Sequence, residues 1–105
     1  MKTRIENYSG VINHCDERWL KTTLNQCLKT ADFAILDFID YQFPNYGYTA
    51  IWLLGESHLA LHTFPENNNC YIELSSCVPK KGDIFWQALA KLVNIGREQY
   101  KVIGD

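Results

Sequence analysis

A serine, a histidine and a cysteine stand in this sequence at spacings that could support chemistry on a carbonyl group. The run GESHLALHTFPE, residues 55–66, contains Ser57 and His62, and Cys77 follows fifteen residues after His62. A hydroxyl group is a nucleophile once a base takes its proton, an imidazole is the commonest such base, and a thiol can return a proton. Ser57, His62 and Cys77 are therefore residues of the types that such chemistry uses.

Two familiar kinds of site do not fit this run. Ser57 lacks the glycine two positions later that a lipase-type nucleophile turn needs, and the segment continues as a strand instead of opening a helix. His58 and His62 would share one face of a strand about 13 Å apart, which is too far for one zinc ion. No metal site is expected here.

The run resembles the bacterial and archaeal S-adenosylmethionine decarboxylases. Their hallmark is Glu-Ser-His, then His-Thr-aromatic-Pro-Glu, then a cysteine near the end of the next strand. The matching residues here are Glu56-Ser57-His58, His62-Thr63-Phe64-Pro65-Glu66 and Cys77, with Phe43, Pro44 and Gly47 upstream. The resemblance covers residues 41–79 well, residues 1–40 loosely, and the C-terminal segment in pattern only.

The resemblance implies a carboxy-lyase that makes its own cofactor. The chain would cleave itself between Glu56 and Ser57 and leave a pyruvoyl group at residue 57. That group would form a Schiff base with the substrate amine and accept the electrons released as carbon dioxide leaves. His62 would be the base in maturation, Cys77 would reprotonate the substrate carbon, and Thr49 stands where a serine that assists maturation is usual.

The same resemblance implies a substrate site for S-adenosylmethionine. Phe43 and Phe64 would offer aromatic faces to an adenine or sulfonium group. Glu66 would contact the ribose or the amine. The product would be the aminopropyl donor for spermidine synthesis, which places the protein in polyamine biosynthesis.

One position departs from the family pattern and leaves two alternatives open. Family members usually carry an acidic residue on the first strand that helps to bind substrate, and Val11 stands at that position. A lost carboxylate weakens binding of a cationic ligand. The alternatives are a pyruvoyl decarboxylase for arginine or ornithine, and an unprocessed, non-catalytic homologue that binds a small ligand.

Hydrophobic periodicity predicts the elements that position these residues. Apolar side chains at helical spacing predict a first helix over residues 16–30 with Asp16 as its N-cap, and a second helix after Gly82 and Asp83 that ends before Gly96. Strands are predicted over residues 6–12, 32–41, 47–54, 57–64, 69–76 and 99–103. The expected fold is α+β, a two-layer sandwich of a mainly antiparallel sheet with two helices on one face.

That fold raises a question about Ser57 and His62. Residues five apart in a regular strand point to opposite faces. Their partnership therefore requires a bend or bulge near Ser57.

Composition predicts one soluble domain over residues 1–105. With 47% hydrophobic and 21% charged residues, the chain can bury one core, and its net charge of −2 with scattered basic residues gives no surface for nucleic acid. The first ten residues, MKTRIENYSG, lack the apolar segment of a signal peptide, and no membrane-spanning run is present. We expect a cytoplasmic protein whose four cysteines are free thiols.

A symmetric homodimer is the expected assembly. Two helices cover only one face of the sheet, and residues 33–39 are apolar on both faces. A second copy would bury the remaining apolar surface. In the family, each pyruvoyl pocket lies close to the subunit boundary, so the dimer would also complete the active site.

Overall fold

The computed structural model describes residues 3–104, so residues 1, 2 and 105 of the predicted domain lie outside the described residues. The elements in chain order are β1 (Arg4–Ile12), α1 (Glu17–Thr30), β2 (Ile35–Gln42), β3 (Tyr48–Leu54), β4 (Ser57–Phe64), β5 (Asn69–Ser76), α2 (Lys81–Ala90) and β6 (Gly96–Gly104). A short 3-10 helix, Pro65–Asn67, connects β4 to β5. No helix in this described range is long and apolar enough to cross a membrane.

The six strands form one sheet in the order β2-β3-β4-β5-β1-β6. Every neighbouring pair is antiparallel. Strands β2 to β5 are consecutive neighbours, and β1 pairs with β5 on one side and with β6 on the other. The predicted antiparallel α+β architecture is confirmed, and β4, which carries Ser57 and His62, is a central strand.

The two faces of the sheet differ because side chains alternate along each strand. One face is covered by α1 and α2, and we call it the covered face. The core lies between this face and the helices. It consists mainly of buried apolar side chains from the strands, both helices and the segment after α1: Tyr8, Ile12, Leu20, Leu24, Cys27, Leu28, Ala31, Phe33, Tyr48, Ala50, Trp52, Leu54, Leu59, Leu61, Cys70, Ile72, Leu74, Phe85 and Leu89. The opposite face has no helix over it among the described residues, and we call it the open face.

Helix α1 forms where its periodicity predicts it. The side chain of Asp16 accepts a hydrogen bond of 2.9 Å from the backbone N–H of Trp19, which satisfies one of the free donors at the helix start. The residues at helical spacing are buried against the sheet: Leu20, Leu24, Cys27 and Leu28. The predicted cap and the predicted apolar stripe are both confirmed.

Helix α2 begins earlier than predicted and ends, as predicted, before Gly96. It begins at Lys81, so Gly82 and Asp83 lie in its first turn instead of preceding it. Gly82 packs against the ring of Tyr8, and the hydroxyl of Tyr8 donates a hydrogen bond of 2.7 Å to Asp83. The helix ends at Ala90, and β6 already begins at Gly96.

Candidate active site

Ser57 is the first residue of β4 and follows a two-residue turn. Leu54 and Ser57 are paired across β3 and β4, so only Gly55 and Glu56 form the connection. Glu56 has a φ of 57°, in the left-handed region that a residue with a side chain adopts at a cost. The turn directs Ser57 toward the covered face, where it is 9% exposed. A residue with a positive φ therefore stands directly before the candidate nucleophile.

The end of β5 supplies polar contacts to this turn. The carbonyl oxygen of Glu56 accepts a hydrogen bond of 3.1 Å from the backbone N–H of Cys77. The hydroxyl of Ser57 donates to the hydroxyl of Ser76 over 3.2 Å, and Ser76 in turn accepts from the N–H of Val78 over 3.1 Å. A donor therefore already points at the carbonyl of the bond expected to break.

Sequence reasoning did not identify Ser76. The sequence offered one sign of this residue: it places a hydroxyl group at a position of β5 that is buried in the alternating pattern. The structure adds that Ser76 lies directly opposite Ser57 in the antiparallel register. Such a position favours an apolar side chain unless the polar group has a partner. Ser76 has partners in Ser57 and in the backbone of Val78.

Ser57 and Cys77 line the same open groove at one end of the sheet. The groove has a volume of about 750 Å³, and its walls come from β1, β4 and the end of β5: Thr3, Arg4, Ile5, Glu56, Ser57, His58, Ser75, Cys77 and Pro79. Cys77 is exposed. We call this region the Ser57 end.

His62 lies on the open face, toward the other end of β4. Its Nδ1 shares a hydrogen bond of 2.9 Å with the hydroxyl of Thr49. The ring of Tyr71, on the neighbouring strand, is stacked beside it with ring centres 6.4 Å apart. Which atom donates depends on the tautomer of the ring: when Nδ1 carries the proton and donates it to Thr49, Nε2 holds a lone pair that can take a proton.

Ser57 and His62 are not brought together within one chain. The register of β4 with β3 and with β5 is continuous from Ser57 onward, so the bend expected near Ser57 is absent from the strand. Ser57 faces the covered side and His62 the open side, about 16 Å further along the strand. The bend or bulge that their partnership requires within one chain is therefore not present.

The remaining predicted residues lie at the end of the sheet that carries His62, which we call the His62 end. Phe64 ends β4, and Phe43 follows β2, its N–H donating 2.7 Å to the carbonyl of Gly47. Both rings are exposed. Glu66 is exposed on the 3-10 helix. These side chains are accessible to a ligand.

Val11 and Phe64 line a second groove at the His62 end. Its volume is about 330 Å³, and its lining combines aromatic, amide and basic groups: Val11, Phe64, Asn67, Asn69, Cys70, Tyr71 and Arg97. No carboxylate lies among these residues. Burial raises the pKa of the Cys70 thiol to about 12, so this thiol stays protonated in the groove wall.

The fold and these side chains define a two-layer α+β protein with a candidate processing serine at the head of a central strand. Residues 7–104 match the family model described as S-adenosylmethionine decarboxylase. The chain belongs to the S-adenosylmethionine decarboxylase family.

Curated relatives support this membership. An S-adenosylmethionine decarboxylase proenzyme of Prochlorococcus marinus (strain MIT 9313) is 39% identical over 62 residues, which are 59% of this chain and 50% of the relative. A proenzyme of the same name from Sulfurihydrogenibium sp. (strain YO3AOP1) is 33% identical over 70 residues, 67% of this chain and 51% of the relative. The chain spans about half the length of the curated relatives it matches.

Solved structures share the fold. The adenosylmethionine decarboxylase of Aquifex aeolicus VF5 superposes with a TM-score of 0.77 at 19% identity, over 97% of this chain and 89% of that chain. A Trypanosoma brucei AdoMetDC-delta26 monomer gives a TM-score of 0.52 at 13% identity, over 96% of this chain and 45% of that chain. At these identities the likeness shows the architecture alone.

Proposed function

We propose that this chain is a proenzyme that cleaves itself between Glu56 and Ser57 and becomes a pyruvoyl-dependent decarboxylase of S-adenosylmethionine in spermidine biosynthesis. The observation that carries the proposal is the turn before Ser57. There the left-handed Glu56 presents its carbonyl oxygen to the N–H of Cys77 at 3.1 Å. A cytoplasmic location belongs to the same proposal, supported by the free thiols of all four cysteines, which lie within residues 3–104.

Maturation begins with attack of the Ser57 hydroxyl on the carbonyl carbon of Glu56. Negative charge then develops on the carbonyl oxygen, where the N–H of Cys77 is already placed to stabilise it. The peptide C–N bond breaks, the nitrogen of residue 57 takes a proton, and an ester joins the two residues. Ser76 holds the hydroxyl of Ser57 before the attack.

The second maturation step needs a base. A base removes the Cα proton of residue 57, the Cβ–O bond of the ester breaks, and Glu56 leaves as a carboxylate. Hydrolysis then releases the nitrogen of residue 57 as ammonia. The oxygen of water takes its place on the carbon, which gives the pyruvoyl group. His62 is the proposed base, with Thr49 orienting its ring through Nδ1.

His62 of a second copy is proposed to serve each Ser57. Within one chain the two residues lie at different ends of the sheet and on different faces. Two copies related by a two-fold axis, with their open faces together, would place the His62 end of one copy opposite the Ser57 end of the other. The proposed assembly is therefore a homodimer in which the partner completes the site.

Apolar side chains on the open face support this dimer. Ile39 and Leu53 are 69% and 51% exposed, and Ile51 and Tyr41 lie beside them on the same face. An apolar surface of this kind on a small chain marks a contact with another molecule. A second copy of the chain carries the same apolar patch, so two copies can bury their patches against each other.

The mature site is proposed to use residues from the Ser57 end and from the His62 end of the sheet. The pyruvoyl group, derived from Ser57, supplies an electron-accepting carbonyl for the amine of the substrate. Cys77 is exposed in the groove of Ser57, and from there it returns a proton to the substrate carbon. Phe43 and Phe64 offer faces to the adenine or sulfonium group, and Glu66 is placed nearby on the 3-10 helix.

Carbon dioxide release tests the activity. Purified protein incubated with carboxyl-labelled S-adenosylmethionine should release labelled carbon dioxide, whereas the Ser57→Ala variant should release none. The Cys77→Ala variant should mature but lose turnover, because its backbone N–H remains while its thiol is gone. Absence of release from the cleaved wild-type protein would contradict the proposal.

A second candidate activity is decarboxylation of arginine or ornithine. The observation behind it is Val11, which stands where family members usually carry the acidic residue that helps to bind S-adenosylmethionine. The same assay over a panel of the three substrates separates the candidates. A strong preference for S-adenosylmethionine would remove this alternative.

A further inference from the structure

Three buried polar side chains form one row across the covered face of the sheet. Glu6 of β1 is paired with Ser76 of β5, and Ser76 is paired with Ser57 of β4. Their exposed fractions are 7%, 1% and 9%, and Thr63 is the fourth buried polar side chain within residues 3–104. Buried polar groups need partners, and a row of direct neighbours lets these three side chains serve one another.

This row lies away from the proposed contact between two copies. The three side chains occupy buried positions of their alternating strands and point toward the helices. The two copies are proposed to meet through their open faces instead. The surroundings of Glu6 are therefore those provided by its own chain.

Glu6 brings a carboxylate into this row, and its two observed contacts are long. Nη2 of Arg4 lies 3.7 Å from Oε2 of Glu6, and the hydroxyl of Tyr100 donates to the same oxygen over 3.4 Å. Because both contacts go to Oε2, Oε1 can accept a proton from another donor. Directly opposite residues of an antiparallel pair have Cβ atoms about 4.5–5.5 Å apart, so a glutamate side chain can reach the hydroxyl of Ser76.

Ser76 has one proton to give and already accepts two hydrogen bonds. Its Oγ accepts from the hydroxyl of Ser57 over 3.2 Å and from the N–H of Val78 over 3.1 Å. A hydroxyl has two lone pairs and one proton that rotates freely. The proton of Ser76 can therefore go to the carbonyl of Val78, at 3.1 Å, or turn toward Glu6 on the neighbouring strand.

The first maturation step has a proton to move. The hydroxyl of Ser57 loses a proton as it attacks the preceding carbonyl carbon, and the nitrogen of residue 57 gains one as the peptide bond breaks. The row continues into Leu54 of β3 and Val102 of β6, which are apolar. Glu6 is therefore the one ionisable side chain in the row that contains Ser57.

We propose that Glu6 is a positioning residue for the first step of maturation and receives the proton of Ser57 through Ser76. As the oxygen of Ser57 bonds to the carbonyl carbon of Glu56, its proton passes to Ser76 while the proton of Ser76 passes to Glu6. When the C–N bond breaks, its electron pair stays on the nitrogen, and the same route returns the proton to that nitrogen. No proton is gained or lost. This inference rests on the proposed self-cleavage for its reaction.

The test isolates the first step in the His62→Ala protein, which should stop at the ester. Hydroxylamine cuts an ester between residues 56 and 57, so mass spectrometry of the two fragments gives the rate of ester formation after refolding. Glu6→Gln, added to this protein, keeps the size of the side chain but removes the carboxylate. Tyr100→Phe is the matched control, because it removes a contact of Glu6 and leaves the carboxylate in place.

We expect Glu6→Gln to slow ester formation about tenfold or more, because a positioned base contributes at least about 100-fold to such steps. Tyr100→Phe should change the rate less than about twofold. Both proteins should keep the circular dichroism spectrum of the His62→Ala parent. An unchanged rate in folded Glu6→Gln protein, or equal slowing by Tyr100→Phe, would overturn the inference.

A route through Ser76 also predicts that variants of Ser76 and Glu6 do not add. Ser76→Ala in the same protein should slow ester formation, and the double variant should be no more than about twofold slower than the slower single variant. Multiplied effects in the double variant would show that Glu6 acts independently of Ser76 and would contradict the route.

The pH dependence of ester formation separates proton transfer from a structural role. The charged and titratable groups that face Glu6 are Arg4 and Tyr8 on its own strand, Tyr100 on β6 and, beyond Tyr8, Asp83 on α2. Desolvation and the nearby carboxylates raise the pKa of Tyr8 and of Tyr100, so both hydroxyls stay protonated between about pH 4.5 and 8. Ester formation should slow as the pH falls, because a protonated Glu6 cannot accept a proton, and Glu6→Gln should lose this dependence. Identical pH profiles would refute the transfer.

The wild-type protein separates this inference from the proposed function. If the wild type cleaves itself and Glu6→Gln cleaves at the same rate, only the role of Glu6 is refuted. If the wild type cleaves but the His62→Ala protein forms no ester, His62 serves the first step and the inference is overturned. If the wild type stays intact and no ester forms, the proposed self-cleavage fails together with the inference.

Discussion

At the residue scale, the proposed self-cleavage depends on the conformation and contacts of one peptide bond. Glu56 adopts a left-handed backbone conformation, and its carbonyl oxygen meets the N–H of Cys77. The neighbouring hydroxyl of Ser57 is held by Ser76. This conformation and these two contacts concern the bond that the family resemblance identifies, and of the residues involved the resemblance named Glu56, Ser57 and Cys77 but not Ser76.

The cysteines should differ sharply in reactivity, because the structure gives them different surroundings. Cys77 is exposed, whereas Cys27 and Cys70 are buried and burial raises the pKa of both thiols. With iodoacetamide at pH 8, we expect Cys77 to be alkylated at least tenfold faster than Cys27 or Cys70, because thiolate is the reactive form. Peptide mapping by mass spectrometry measures the rates. Fast alkylation of Cys70 in folded protein would contradict its placement.

At the element scale, α2 is tied to the sheet through a close approach at Gly82. A Cβ at this position would collide with the ring of Tyr8. We therefore expect Gly82→Ala to lower the free energy of unfolding by about 1–3 kcal/mol, although alanine ordinarily stabilises a helix interior by roughly 0.5–1 kcal/mol. Urea unfolding followed by circular dichroism measures the change.

Gly47→Ala is the matched control for Gly82→Ala. A Cβ at Gly47 would meet only Phe43, at 3.8 Å, which is an ordinary contact. We expect a change in unfolding free energy within about 0.5 kcal/mol. A stabilised Gly82→Ala protein would show that the packing of α2 on Tyr8 is looser than described.

Most elements could be predicted because their signals are local. Alternation located the strands to within a few residues, and Asp16 identified the start of α1. The end of α2 could not be predicted, since Val93 and Ile95 continue the apolar pattern while packing against the core from a loop. The contact of Ser57 with Ser76 depends on strand register, which no local pattern gives.

The separation of Ser57 and His62 was only half predictable. Strand periodicity placed the two side chains on opposite faces, and the structure agrees. A bulge was expected because the resemblance assigns them to one reaction. The continuous register of β4 contains no such bulge, which is why we propose that a second copy supplies His62.

At the scale of the whole molecule, the open face should hold two copies together. Leu53→Glu puts a charge on this face at a side chain that is 51% exposed, and we expect it to dissociate the dimer. Leu92→Glu, at a side chain that is 59% exposed next to α2, is the matched control and should leave the mass unchanged. Light scattering coupled to size exclusion measures the mass. A wild-type mass of one chain at every concentration would contradict the proposed assembly.

Mixing two inactive variants tests whether the partner supplies His62. The Ser57→Ala protein lacks the serine of the cleavage site but keeps His62. The His62→Ala protein keeps Ser57 but lacks the histidine. Each alone should stay uncleaved or stop at the ester, whereas refolding them together should yield cleaved His62→Ala chains in mixed dimers. Failure of the mixture to cleave, with mixed dimers demonstrated, would place the base within the same chain or elsewhere.

The central claim is that this chain cleaves itself between Glu56 and Ser57, and intact-mass spectrometry tests it most directly. We expect the 12.2 kDa chain to be replaced by two fragments, one ending at Glu56 and the other beginning with a pyruvoyl group at residue 57. The Ser57→Ala protein should keep its full mass and the same circular dichroism spectrum. A folded wild-type protein that retains the full mass of 12.2 kDa after prolonged incubation would contradict the claim.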